Sequence, residues 1–147
     1  MRRKIFKTGV LALAVVAAGI QFAQPNRTNP PADPTAAFEA VANPPEAVAG
    51  VVRRACADCH SNQTVWPWYS RVAPVSWLVA DDVSEGRSRL NLSEWNRLGA
   101  EASQLKMRQM CTEIRKGEMP MPLYTLMHPK AKVSPAEAAA FCKAATR

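Results

Sequence analysis

The chain has 147 residues, of which 48% are apolar, so once the first two dozen are set aside there is room for one buried core and not for a second domain. A formal charge of +7 would suit a polyanionic partner, but Arg2, Arg3, Lys4 and Lys7 supply four of the positive charges at the very start. The remainder holds 15 basic against 12 acidic residues, which gives no reason to expect nucleic acid as a partner.

In chain order, the basic and acid-free start is followed by an apolar run over residues 10–22, broken only by Gly19 and Gln21. These are the n-region and h-region of a secretory signal. The run is short against the about 20 apolar residues of a membrane span, and it lacks a clear A-x-A site. Residues 1–24 therefore read as either a cleaved signal or a retained anchor. Residues 25–42 are rich in proline and polar side chains and read as an extended, partly polyproline-like tether. The folded domain is expected over 43–147. Asn43, Pro44 and Glu46 offer an N-cap, a first-turn proline and a third-position acid. The helix they would start carries Val48, Val51, Val52 and Ala55 at 3.6-residue spacing.

That helix runs into Cys56-Ala57-Asp58-Cys59-His60, whose order and spacing match a covalent c-type haem attachment site. Two intervening residues set the thiols one helical turn apart, for addition to two porphyrin vinyl groups. The next residue, His60, supplies an imidazole to the iron. Two other chemistries use such a pair. A thioredoxin-like dithiol belongs in a βαβ context, whereas the flanks here read as helix. A zinc site would pair Cys56 and Cys59 with a second spaced couple, and the sequence has no other C-x-x-C and no H-x-x-x-H. Haem attached after export also favours the general secretory route, although Arg2-Arg3 has the look of a twin-arginine signal.

Trp66-Pro67-Trp68-Tyr69-Ser70 follows, an aromatic cluster interrupted by proline that reads equally as the wall of a haem pocket and as filling of a small core. Pro74 introduces Val75, Leu78, Val79 and Val83, predicting a second helix that ends near Gly86. Ser93 and Glu94 are placed to cap a further helical piece. From about Glu101, Met107, Met110, Cys111 and Ile114 form the stripe of a third helix closed by Gly117, and Met107 and Met110 are assigned to packing. Glu118-Met119-Pro120-Met121-Pro122 reads as a loop. Ser134-Pro135-Ala136-Glu137 is a capping signature for a last helix with Ala138, Phe141, Cys142 and Ala145 on its buried face. Four helices and no convincing strand make the fold class all-α. In an oxidising compartment, Cys111 and Cys142 lie on apolar stripes that could face each other, and a disulfide between them is expected.

Beyond Cys56 to His60, the chain resembles the small bacterial haem-binding domain proteins. The likeness runs through Ser61-Asn62-Gln63-Thr64-Val65-Trp66-Pro67-Trp68-Tyr69-Ser70 and Ala73-Pro74-Val75-Ser76-Trp77-Leu78-Val79. It continues in Asp82-Val83, Gly86-Arg87, Leu90-Asn91, Ser93-Glu94-Trp95, Gly117-Glu118-Met119-Pro120, Tyr124 and His128-Pro129. Gln21-Phe22 and Asn29-Pro30-Pro31 look like that family's N-terminal anchor region. The resemblance implies a cytochrome-c-like helical domain around one covalent haem c per chain, exported to the periplasm or another extracytoplasmic space and in some cases tethered to the inner membrane. It names no redox partner, and the Cys111–Cys142 pair is not carried over from it.

The sixth iron ligand decides what such a site does. Met119 is the first choice, because a Met-Pro between the last two helices resembles the distal loop of small cytochromes c. Met121 and His128 remain open as alternatives. With methionine opposite His60 the expectation is an electron carrier, not an enzyme, that meets redox proteins of the cell envelope. The alternative is a haem-based sensor or peroxidase-like enzyme with an open or labile sixth site. A haem-bearing structural module of an envelope complex is a third reading.

Overall fold

The computed structural model describes residues 2–146, which contain helices and turns and no strand. The all-α expectation holds. These residues divide into two units, one made of 2–28 and 66–82, the other of 29–65 and 83–146.

The first unit begins with α1 (Arg2–Gly19), prolonged by a 3-10 turn at Ile20–Phe22. Over Arg2–Phe22 this helix is long and apolar enough to cross a membrane, and none of it is buried within the protein. A 3-10 turn at Trp68–Arg71 and the opening turns of a later helix complete the unit. Its aromatic run is only partly inside: Trp68 is exposed and meets the Tyr69 ring edge-on, with centroids 5.8 Å apart.

The second unit holds the core. Its first residues fall within the stretch read as a tether, yet they are fixed in place. Asn62 Nδ2 donates to the Pro31 carbonyl at 3.0 Å, and a short helix α2 (Phe38–Ala42) buries Phe38 edge-on against Trp95, with ring centroids 4.7 Å apart. Asn43 does not start the next helix. It takes the left-handed conformation (φ 41°) and terminates α2 instead, so that α3 (Glu46–Ala55), capped by Pro45, begins two residues later than its sequence suggests. Asparagine suits both roles, as an N-cap and as one of the few residues that tolerate positive φ. The expected apolar stripe of α3 is buried, with Val48, Val51, Val52 and Ala55 all inside.

A four-residue helix α4 (Ala57–His60) follows directly, and α5 (Val75–Arg89) crosses from one unit into the other along the chain. The piece predicted around Ser93 is a 3-10 segment, Leu92–Arg97, capped by Asn91, whose side chain accepts from the Ser93 amide. Trp95 in this segment is fully buried, and its indole N–H donates to Ser103 Oγ at 2.8 Å. Helix α6 (Ala100–Lys116) closes at Gly117, where φ of 72° requires glycine or its equivalent. A short helix α7 (Pro122–Met127), unforeseen in the sequence, starts with Pro122 in its first turn, and α8 (Pro135–Ala145) has the full Ser134–Glu137 capping box. The hydrogen bonds from Ser134 hold the Glu137 carboxyl below the usual carboxylate range, and Arg54 Nη2 reaches it at 2.7 Å to join α3 to α8.

Helices α6 and α8 are also joined covalently. Cys111 and Cys142, 31 positions apart in the chain, form a disulfide with Cα atoms 5.0 Å apart, closing a loop that contains Met119. The apolar stripes on which the two cysteines lie do meet: Met110 and Phe141 are buried in one core cluster, with Met107, Cys111 and Ile114 packed against it.

Two substitutions test this packing. Phe38→Ala is expected to destabilise the protein by about 3 to 5 kcal/mol in chemical denaturation, the range for a deleted core aromatic, whereas a mobile tether would register no change. Replacing Cys111 and Cys142 together by serine is expected to cost about 2 to 4 kcal/mol by the same measurement.

Candidate functional site

Helix α3 ends at Cys56, whose backbone (φ −123°, ψ −35°) leaves the helical region while its amide still donates to the Val52 carbonyl at 3.0 Å. The break redirects the chain into α4, where the His60 amide donates to the Cys56 carbonyl at 2.9 Å. The motif is thus one compact turn at the end of a buried helix. Both of its cysteines are half-buried thiols. Desolvation, with Cys59 beside it, pushes the Cys56 thiol up to about 12 against the opposing influence of Arg54.

The orientation of His60 comes from α5. Its Nδ1 lies 2.8 Å from the Gly86 carbonyl oxygen and 3.2 Å from that of Leu90. Two acceptors can be satisfied only by an N–H, so Nδ1 is the donor, and in the neutral ring Nε2 presents its lone pair. Bringing the Gly86 carbonyl this close has a steric requirement. A Cβ on residue 86 would stand 2.6 Å from the Cys59 carbonyl oxygen, a backbone atom that has no way to yield. Gly86 therefore does not end its helix, as its sequence position suggests. It lies inside α5 and lets helix and motif touch.

A polar network fixes the turn after His60. Arg87 Nε donates to the Ser61 carbonyl at 2.7 Å, and its Nη2 donates to Thr64 Oγ1 at 2.8 Å and Asn29 Oδ1 at 2.7 Å. Burial shifts this guanidinium downward, a cost that the three acceptors offset. The Asn62 amide donates to Ser93 Oγ, and Asn91 Nδ2 donates to Asn62 Oδ1. Asp58, inside the motif, is the acceptor for two separate elements. Its Oδ1 takes the Val65 amide at 3.2 Å and its Oδ2 takes the Tyr124 hydroxyl of α7 at 2.8 Å.

A cavity of about 420 Å³ opens beside this turn. It is lined by Cys56 and His60 from the motif, by the apolar side chains of Ala55, Leu90, Met110 and Ile114, and by Met119. Arg89, Lys106, Gln109 and Glu113 also reach it. Met119 is held at the end of α6, where its amide donates to the Glu113 carbonyl at 3.3 Å. The other two ligand alternatives have different surroundings. Met121 is the residue from which α7 starts, and the His128 ring stacks on Tyr124 at 4.4 Å; neither lines this cavity. Cys59 also lies outside the lining, behind Gly86. The run from Trp66 to Tyr69 belongs to the other unit, whereas every lining residue belongs to this one.

The arrangement offers a neutral imidazole nitrogen, a thioether and a thiol around a mainly apolar space, which suits a large flat cofactor containing a soft or borderline metal. It does not suit zinc: among the described residues no three His, Cys, Asp or Glu side chains converge. Sequence reasoning gave no role at the site to Asp58, Gly86, Arg87, Asn62 and Tyr124, which position the motif and do not line the cavity. A family model described as a haem-binding domain matches residues 15–146. No curated protein and no solved structure matches the chain.

Gly86→Ala tests the contact between α5 and the motif. The added methyl group has to displace the Cys59 backbone, so a loss of about 1 to 3 kcal/mol is expected, together with weaker haem retention. Gly99→Ala, at a position with open space around it, is the control and is expected to leave both unchanged.

Proposed function

The chain belongs to the haem-binding domain family, and from that premise we propose that it is an exported mono-haem cytochrome of c type that transfers single electrons. The observation that carries this reading is the cavity shared by His60, Cys56 and Met119, with the His60 Nε2 lone pair left available by the two carbonyls at Nδ1.

The residues fit the group. Cys56 and Cys59 would hold haem through thioether bonds, and His60 and Met119 would hold its iron. Bound there, haem supplies a one-electron ferric/ferrous couple. The Gly86 and Leu90 carbonyls fix the tautomer of His60 and make its other nitrogen a better donor. Met119 contributes a neutral thioether, and its loop is constrained on one side by Gly117 and on the other by α7, all within the ring closed by Cys111 and Cys142. Ala55, Leu90, Met110 and Ile114 exclude water from the same space. A histidine–methionine pair raises the reduction potential relative to two histidines. This suits a carrier that exchanges electrons with redox proteins of the cell envelope.

Export is supported by the basic start before an apolar helix, and by a disulfide that needs an oxidising compartment. With Arg2, Arg3, Lys4 and Lys7 ahead of the helix, the positive-inside rule keeps the N-terminus on the cytoplasmic side and sends the rest across. We take the helix as a retained anchor, because the residues at its end are bonded into the folded chain. Gln21 Oε1, for example, accepts from the Ala73 amide at 2.9 Å.

Covalent attachment is tested by acid-acetone extraction of denatured protein. The haem is expected to stay with the polypeptide and to be lost from the double variant Cys56→Ala, Cys59→Ala; complete release from the unmodified chain would end the c-type reading. For the distal ligand, the ferric protein is expected to show a weak sulfur-to-iron charge-transfer band at the red edge of the visible spectrum, absent in Met119→Ala. Its persistence in that variant and loss in Met121→Ala would move the ligand by two residues. Prompt carbon monoxide binding by the unmodified ferrous protein would favour a sensor or a peroxidase-like enzyme over a carrier.

A further inference from the structure

We propose that residues 66–78 form a membrane-interface platform, seated in the lipid headgroup layer beside the point where the N-terminal helix leaves the bilayer. This rests on the reading of that helix as a retained anchor and does not depend on haem.

Depth is the first step of the argument. The 21 residues of Arg2–Phe22 make a helix about 31 Å long at about 1.5 Å per residue, against a hydrocarbon layer of about 30 Å, and with Arg2, Arg3, Lys4 and Lys7 held at the inner interface its other end reaches no farther than the outer edge of that layer. Gln21 and Ala23 therefore lie at the outer boundary of the hydrocarbon. Gln21 is bound in both directions to one residue: its Oε1 accepts from the Ala73 amide at 2.9 Å, and its Nε2 donates to the Ala73 carbonyl at 3.1 Å. The Trp77 indole N–H donates to the Ala23 carbonyl, and Arg27 Nη1 donates to the Ser70 carbonyl at 3.1 Å. Whatever depth the end of the helix has, Ser70, Ala73 and Trp77 share it.

The side chains brought to that depth suit lipid better than water. Trp68 is 72% exposed and Phe22 is 92% exposed, and Val72, Val75, Trp77 and Leu78 are exposed as well. Val75 and Leu78 stand three residues apart at the start of α5, on one face of that helix. Residues 66–78 contain no Asp or Glu and one cation, the exposed Arg71, a composition that anionic headgroups attract and do not repel. Tryptophan and tyrosine are the residues enriched at this level of a bilayer, where the ring is buried and the polar atom stays wet. An apolar surface of this kind, continuous with a membrane-crossing helix through hydrogen bonds, has the bilayer itself as its occupant.

The test uses the full haem-loaded chain, reconstituted into phosphatidylethanolamine and phosphatidylglycerol vesicles that contain a diazirine-bearing phospholipid, with photo-adducts mapped by mass spectrometry. Adducts are expected on peptides from residues 66–78 as well as on the N-terminal helix. Adducts on the helix alone would overturn the platform and leave the anchor standing; adducts on neither would overturn both. The double variant Trp68→Ser, Leu78→Ser changes two exposed side chains and is expected to reduce the adducts on 66–78 several-fold with those on the helix unchanged. An undiminished yield from that variant would also overturn the proposal.

Discussion

The His60 ring hangs from two backbone carbonyls, and the second unit is built so that those carbonyls can reach it. Gly86 lies on α5 and Leu90 directly follows it, four residues on, so their oxygens converge on a single N–H only if the end of the helix lies against the motif. The absence of a side chain at Gly86 permits that approach, and Arg87, the next residue, secures it by bonding three acceptors on the opposing segments. Backbone carbonyls cannot be titrated or rotated away as a carboxylate can.

The far side of the cavity is constrained by different means. Met119 belongs to a loop with little regular structure of its own, and its position derives from what surrounds it: the left-handed turn at Gly117, the first-turn proline of α7 and the covalent link between α6 and α8. Asp58 connects the two sides, because one carboxylate oxygen accepts from the loop after the motif and the other from Tyr124 on α7. The histidine side is thus rigid through close packing, whereas the methionine side is held by anchors spaced along a loop. On the proposed reading, such asymmetry would let His60 stay fixed while Met119 adjusts its position.

Much of this was legible in the sequence where the signal is local. The Ser134–Glu137 capping box, the end of α6 at Gly117 and the stripe of α3 each depend on residues within one or two turns, and each is found where its pattern lies. The disulfide was legible too, since both cysteines carry the periodicity of a buried face. The readings that shifted involve residues with two competent roles. Asn43 ends a helix instead of starting one, and Gly86 serves a contact instead of a cap. Helix α7 went unforeseen because Pro120 and Pro122 read as breakers, while Pro122 occupies the one helical turn that tolerates proline. Asp58, Asn62 and Arg87 left no periodic trace, since their partners lie up to 66 residues away in the chain. The matched family model supports haem binding over nearly the whole chain, and the roles of individual residues rest on the geometry described above.

The disulfide also bears on how the protein can be assembled. On the proposed reading of an exported c-type protein, four thiols would enter the same oxidising space and their fates would have to differ: Cys111 and Cys142 oxidised, Cys56 and Cys59 kept reduced for thioethers. Folding sorts them. Packing α6 on α8 brings one pair to a Cα separation of 5.0 Å, within bridging range, and so withdraws it from competition. Burial keeps the Cys56 thiol protonated, and a protonated thiol is a poor nucleophile for disulfide exchange. On that reading the helical scaffold would act as a thiol sorter, and mispaired cysteines would be the failure to expect when the α6–α8 interface is weakened.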